Sequence, residues 1–363
     1  MSHLYKPLLV KDARLRNRIA VSPMCQYSAK AGMPDTWHLV HLGARAIGGA
    51  GLVVAEATAV SPEGRITPGC TGLWNDAQAA AWQPIARFIE QQGATAGIQI
   101  GHAGRKASAS RPWQGDAHLP AEDPEAWQPI GPSANALGGK LPRAPEAMSL
   151  ADIHRVRDDF VKATERAARA GFKWLVLHFA HGYLAQSFFS PLANQRRDEY
   201  GGNFENRARF LLETFDAVRA VWPERYPLTV RLGVIDYVDG EQPIEESIEL
   251  LRRMKSNGLD LVDVSMGFNT PDVSRVPWHE EAFLAPLAAR IRQSVGLPTA
   301  TSWNIRDPKH AEHLIASEQV DLLMLAKGIL ADPHWAYHAA KSLGETAPEA
   351  LLPDPYAFWL KGR

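Results

Sequence analysis

The chain is poor in cysteine, in net charge and in long apolar runs, and each shortage excludes a class of protein. Two cysteines, Cys25 and Cys70, in 363 residues cannot build a disulfide framework. A reducing, cytoplasmic setting is therefore expected. The 39 basic and 40 acidic side chains leave a formal net charge of −1. No overall field exists to draw in nucleic acid or an anionic membrane. No stretch approaches the ~18 consecutive apolar residues of a membrane span. Residues 1–15 alternate polar and apolar and carry Lys6, Lys11 and Arg14, so they do not read as a signal peptide. The usual nucleotide fingerprints are missing as well. Gly49-Ala50-Gly51 opens a G-x-G but ends in Val54, and it precedes its strand instead of following it. Gly139-Lys140 lacks the upstream Gly and the following Ser or Thr of a Walker loop.

What is present is the composition of a well-packed globular protein, 45% apolar and 22% charged. Among polar and aromatic residues, 13 His and 11 Trp stand out. Trp is costly on a surface, so several are expected to line a cavity or an interface. Short apolar runs rich in β-branched residues alternate with segments of helical spacing. The runs predict strands over 18–22, 52–56, 95–100, 173–179, 227–233, 260–265, 297–301 and 321–326. Between and after them, helices are predicted over 37–47, 76–92, 149–170, 205–222, 244–257, 282–295, 309–316 and 333–342. Ser149 and Asp152 fit a capping box opening the third of these. Strict alternation argues for a parallel sheet. A doubly wound open sheet satisfies the same pattern. Eight repeats without a switch point favour closure into a single (β/α)8 TIM barrel, an α/β fold. Residues 1–363 then form one domain, with a capping insertion at about 102–147 after the third strand and a tail at about 353–363.

In such a barrel the active site lies at the C-terminal ends of the strands. Unusual residues collect there: Ser22 to Tyr27, Glu56-Ala57, Gln99, His178 to Tyr183, Arg231, Trp303-Asn304 and Ala326-Lys327. His178 and His181 admit three readings. Zinc would need a third ligand, for which Glu56, Cys25 and His102 are candidates without diagnostic spacing. Buried histidines satisfied by backbone carbonyls are the second. Paired neutral donors gripping a substrate oxygen are the third and preferred reading. Tyr183 stays protonated at neutral pH and suits a proton donor. Arg231 sits inside an apolar strand and needs a partner, either Asp263 or Glu56, or an anion in the barrel mouth. Cys25 is either an inert thiol or a neighbour of a cofactor. Phosphate binding is expected at the loops after strands seven and eight.

These residues resemble the old yellow enzymes, and within them the bacterial xenobiotic reductases. The resemblance runs the length of the chain. It rests on Asn17-Arg18-Ile19, Ser22-Pro23-Met24-Cys25-Gln26-Tyr27, Glu63-Gly64-Arg65, Ile98-Gln99, His102-Ala103-Gly104-Arg105-Lys106, His178-x-x-His181-Gly182-Tyr183 and Asp198 to Asn203. It implies FMN at the barrel mouth, contacted by Ser22, Pro23, Met24, Cys25, Ala57, Gln99, Arg231 and Trp303. It places Arg231 near the pyrimidine edge of the flavin and lets Cys25 tune its potential. His178 and His181 hold a carbonyl or nitro oxygen, and Tyr183 protonates the α-carbon. Tyr27 and Trp303 touch the substrate, and Trp359 reaches a neighbouring subunit's site in a homodimer. Two departures fall at the expected phosphate: Asn304 stands where relatives carry Gly, and Ala326-Lys327 where they carry Gly-Arg. Lys supplies a point charge without Arg's fork, so FMN is expected to bind, but less tightly. The implied activity is an NAD(P)H-dependent ene-reductase acting on enones and nitro compounds, with NADPH expected ahead of NADH and no metal. The rival readings are a metal-dependent hydrolase or aldolase and a non-catalytic flavin or aromatic-ligand binder.

Overall fold

A computed structural model describes residues 2–362. Its strands are β1 (Leu8–Val10), β2 (Ala13–Leu15), β3 (Ile19–Val21), β4 (Leu52–Ala59), β5 (Thr95–Gly101) and β6 (Ile130–Gly131). They continue with β7 (Glu146–Ala147), β8 (Trp174–Phe179), β9 (Leu228–Ile235), β10 (Leu261–Met266), β11 (Thr299–Thr301) and β12 (Leu322–Leu325). Strands β3, β4, β5, β8, β9, β10, β11 and β12 close into a barrel. Every neighbouring pair in it is parallel. The expected TIM barrel is thus the fold found. Each predicted strand and helix falls on a barrel strand or an outer helix, with ends displaced by at most three residues.

The barrel strands read as continuous apolar runs because both faces are covered. Outward side chains such as Val53, Ala55, Ile98 and Leu177 join the helix layer in one core. Inward ones, Ala20, Leu52, Val54, Trp174, Val176, Leu261, Ala300, Leu322 and Met324, form a second cluster with Val10, Ala13 and Leu15. The β1–β2 hairpin therefore plugs the barrel at the end opposite the expected site. Trp174 is its largest filler, and truncating it to Ala would cost about 3–5 kcal/mol. Capping boxes open three outer helices, at Asp35, Asn75 and Ser149. Ser149 accepts from the Asp152 amide while the Asp152 carboxylate accepts from Ser149, as the sequence predicts.

The segment 102–147 leaves the end of β5 and so starts on the C-terminal rim. It holds only two 3-10 turns and the short β6–β7 pair. Side chains stitch it in place. The Arg143 guanidinium donates to the carbonyls of Trp127 and Leu119 at 3.0 and 2.5 Å, and Arg111 donates to the Tyr27 carbonyl at 3.0 Å. Three short helices were not anticipated: Leu184–Phe189, Lys327–Ala331 and Asp354–Leu360.

Candidate active site

Strand register sets the first line of the site. His178 on β8 pairs with Arg231 on β9, and Arg231 pairs with Asp263 on β10. Side chains opposite one another share a face, so a histidine, a guanidinium and a carboxylate lie in a row inside the barrel. Arg231 Nε lies 3.2 Å from Asp263 Oδ2. Its Nη2 donates to Ser302 Oγ at 2.9 Å and Nη1 to Ser22 Oγ at 3.4 Å. Of the carboxylate partners considered from sequence, Asp263 is present and Glu56 is not. The contact is an ion pair without good hydrogen-bond alignment, and both Asp263 oxygens lack a bond. Burial raises the Asp263 pKa, and Arg231 opposes it.

The guanidinium also borders a cavity of about 540 Å³ at the strand ends. That volume lies within the ~300–1,000 Å³ of ligand sites. Of the residues expected there, Ser22, Pro23, His181, Arg231, Trp303, Asn304, Ala326 and Lys327 line it. Met24, Cys25, Ala57 and Gln99 do not. Ala57 instead borders a cavity of about 10 Å³ shared with Cys70, His102, His178 and Tyr183. Cys25 is half-buried, and the buried Gln99 amide nitrogen has no partner. The large cavity has walls the sequence did not single out: Trp278, His279, Ser302, Ile305 and Arg306. Arg231, Arg306 and Lys327 make part of its lining basic.

Asn304 is held at φ +52°, a left-handed conformation that Asn adopts more readily than most residues. The resemblance leads one to expect Gly here, and Asn meets the same conformational demand. Its side-chain amide donates to the Trp278 carbonyl, tying the β11 end to the segment that follows β10. Trp303, at φ +80°, packs among Phe268, Trp278 and Phe283 with ring centroids 5.7–5.9 Å apart. His181 stands 6.3 Å from Trp303.

Consecutive left-handed residues, His181 at φ +63° and Gly182 at φ +67°, fold the chain back after β8. A Cβ on Gly182 would lie 2.3 Å from the Phe268 carbonyl oxygen, so only Gly fits. The turn gathers three rings: His178 is 5.0 Å from His181 and 4.9 Å from Tyr183, centroid to centroid. His181 Nε2 lies 2.8 Å from Ser265 Oγ. His178 makes no hydrogen bond, and its Nδ1 is buried without a partner. Neither ring is satisfied by a backbone carbonyl. Burial, and then Arg231, hold both histidines well below their ordinary range, so both are neutral at pH 7. Burial pushes Tyr183 well up and keeps it protonated. Burial likewise raises Cys25, with Glu56 and Cys70 adding to it.

Lys106 Nζ donates to the His181 carbonyl at 2.7 Å and lies 5.9 Å from the ring centroids of Tyr183 and Phe268. Burial, reinforced by Arg105, pushes this amine down to about 7. Sequence reasoning quoted Lys106 but gave it no role. Tyr27, at φ +51°, packs edge-on to Trp113 of the 102–147 segment at 6.1 Å. Trp359 lies on the exposed helix Asp354–Leu360, 67% exposed, and borders no part of its own chain's cavity. Two of the zinc-ligand candidates take other partners: Glu56 faces His38 at 3.5 Å, and His102 Nδ1 accepts from the Gly104 amide at 3.0 Å. Among the described residues no three His, Cys, Asp or Glu side chains converge as a metal site.

A closed parallel barrel with a roomy mouth, in part basic and elsewhere aromatic with neutral donors, defines a cofactor-dependent β/α-barrel enzyme. The model of the NADH:flavin oxidoreductase / NADH oxidase family matches residues 3–345, and the chain belongs to this family, that of the old yellow enzymes. It is 39% identical over 343 residues to an NADPH dehydrogenase of Geobacillus thermodenitrificans, covering 94% of each chain. It is 37% identical over 348 residues to an NADPH dehydrogenase of Bacillus subtilis, covering 95% of this chain and 96% of that one. Among solved structures, morphinone reductase superposes with a TM-score of 0.79 at 25% identity, covering 94% of this chain and 90% of that one. The chain is therefore an oxidoreductase whose cofactor is FMN. The residues fit that group. The Arg231 guanidinium at the cavity and the unpartnered Gln99 amide deeper in the barrel would be donors for polar ring atoms, and Arg306 and Lys327 would offer positive charge to a phosphate. The hydrolase and aldolase readings fall with this assignment.

Proposed function

We propose that this chain is an NADPH-dependent ene-reductase that reduces the C=C bond of α,β-unsaturated carbonyl compounds and also accepts nitro compounds. The observation that carries the reading is the ring cluster at the end of β8: two neutral histidines beside a protonated tyrosine, with His181 bordering the cavity walled by Trp303. FMN, when bound, would supply the hydride chemistry that links a nicotinamide donor to the substrate's β-carbon. His178 and His181 hold the substrate oxygen and stabilise the negative charge that grows on it. They must donate as neutral rings, which burial and Arg231 ensure. If the Ser265 hydroxyl donates to His181 Nε2, the ring proton is fixed on Nδ1 and is free to meet the substrate. The Tyr183 hydroxyl then gives its proton to the α-carbon. Trp303 and Phe268 exclude water and present an aromatic wall to planar substrates.

NADPH is favoured as donor because the curated relatives bear that name. The exposed Phe358 and Trp359, 74% and 67% exposed, support a homodimer in which Trp359 reaches the partner's mouth. The two free cysteines support a cytoplasmic setting. The test is anaerobic: purified protein is reduced with NADPH, then mixed with cyclohexenone or a nitroaromatic. Return of oxidised flavin absorbance with saturated ketone as product supports the reading. Reduction by NADPH followed by no reaction with either acceptor overturns it.

A further inference from the structure

Behind the mouth lies a buried carboxyl that the mechanism does not use. On β4 and β5, Ala55 pairs with Ile98 and Ala57 with Gln99, so Glu56 is an extra residue where the register slips. Such a bulge re-aims side chains. Here it keeps Ala57 level with Gln99 and sends Glu56 toward the outer helix Thr36–Ile47. Glu56 Oε1 lies 3.5 Å from His38 Nε2, and the two side chains are 3% and 1% exposed. His38 Nδ1 lies 3.0 Å from both the amide nitrogen and the carboxylate of Asp35. That nitrogen has a donor and an acceptor within reach, so the ring is served with or without a proton on Nδ1. Asp35 is 55% exposed. A line of three titratable groups thus runs from solvent to the back of the site.

The groups that influence Glu56 or lie near it are His38 from the helix, the Cys25 thiol and Gln26 amide from the loop after β3, and Cys70. On the same helix Arg45 is turned away, donating to the carbonyls of His41 and Leu330. His41 is itself neutral, pushed down to about 3 by burial. Burial lowers His38 as well, so among the described residues Glu56 has no cationic partner. Glu56 Oε2 and His38 Nε2 are both buried without a hydrogen bond. Burial pushes the carboxyl up to about 8.

We propose that Glu56 takes up the proton that compensates the charge gained by the flavin on reduction, with His38 and Asp35 as its route to solvent. The inference rests on the FMN assignment. A nicotinamide delivers a hydride, two electrons with one proton, so the flavin gains one net negative charge. The second proton comes from solvent and binds the Glu56 carboxylate, and it leaves when the flavin is reoxidised. Glu56 touches no reacting atom and acts through the electrostatics of the pocket behind Ala57 and Cys25. Uptake is confined to the pH range in which Glu56 is ionised before reduction and protonated after it. At lower pH it is already neutral.

The experiment is a spectroelectrochemical titration of flavin-loaded protein between pH 6 and 10, comparing wild type with Glu56→Gln and Glu56→Asp. Wild type is expected to show a window in which the slope of midpoint potential against pH doubles, from one to two protons per two electrons. Glu56→Gln, nearly isosteric, keeps the shallow slope throughout, and Glu56→Asp restores a steep window. His38→Gln leaves the equilibrium slope steep but slows proton uptake, read with a pH dye in stopped flow. A merely structural role would alter flavin content or stability and leave the slope unchanged. Loaded protein with the same profile in wild type and Glu56→Gln overturns the inference alone. A chain that binds no flavin overturns the cofactor assignment with it.

Discussion

Replacing Tyr183 with Phe removes one oxygen from the centre of the ring cluster and little else. The ring's neighbours, His178 at 4.9 Å and Lys106 Nζ at 5.9 Å, contact the aromatic face and edges that Phe retains. No described residue is hydrogen-bonded to the Tyr183 hydroxyl, so its removal strands no buried partner. Stability should change by less than about 1 kcal/mol. Chemistry should change far more. A positioned general acid contributes about 10²–10⁴-fold, equivalent to about 3–5 kcal/mol of barrier. The loss falls only on the step that protonates carbon. Stopped-flow absorbance separates the halves: NADPH bleaching the flavin, then enone restoring it. The variant should bleach at the wild-type rate within a factor of about three and recover about 10²–10⁴-fold more slowly. Equal slowing of both halves, or undiminished recovery, would refute the assignment of Tyr183 as proton donor.

Four further outcomes follow from the same geometry. Ser265→Ala frees the His181 ring tautomer; the second half-reaction should slow about tenfold or more and the first hardly at all, by the same stopped-flow measurement. Arg231→Met leaves Asp263 buried and unpaired and should cost about 3–5 kcal/mol in urea denaturation, much of it recovered in the Arg231→Met/Asp263→Asn double variant. Arg306→Met and Lys327→Met should each weaken FMN binding by about 1–3 kcal/mol in equilibrium dialysis, with free riboflavin, which lacks the phosphate, unaffected. Glu56 has a folded pKa of about 8, raised from 4.5, so the folded state holds a proton that the unfolded state has lost between those values. Stability should fall with rising pH across that window, and Glu56→Gln should gain on wild type by about 3–5 kcal/mol between pH 4 and 9 in denaturant melts.

The barrel was legible because eight doubly buried strands each leave an apolar run, and eight amphipathic helices each leave a 3.6-residue period. The β1–β2 hairpin was not. Its three-residue strands are too short for a periodic signal, and Leu9 and Arg14 are exposed to solvent. At the site, the residues that stand on strand ends were visible: His178, His181 and Arg231 are anomalous in apolar surroundings. Trp278, His279 and Arg306 were not, because they sit in loops and reach the cavity only through folding of the segment after β10 and the turn after β11. A long gap between the strand at 260–265 and the helix at 282–295 was the available clue. Lys106 was quoted within a motif. Its role in holding the His181 carbonyl depends on a left-handed turn that no spacing rule announces.

The slip at Glu56 shows how much one residue of register decides here. With strict alternation along β4, Leu52 and Val54 face inward and Glu56 would follow them into the barrel. There it would stand among the inward residues with Arg231, the reading the sequence allowed. It would bring a second carboxylate beside Asp263 and lift the cationic bias that keeps His178 and His181 neutral. Instead the extra residue opposite Ala55 and Ala57 throws the acid outward to His38 and puts a methyl group level with Gln99. The barrel interior thereby keeps Arg231 with Asp263 as its one, poorly aligned carboxylate neighbour among the described residues. On the proposal above, a hydride acceptor that becomes anionic is served from two sides: by fixed positive charge at Arg231 and by an exchangeable proton at Glu56.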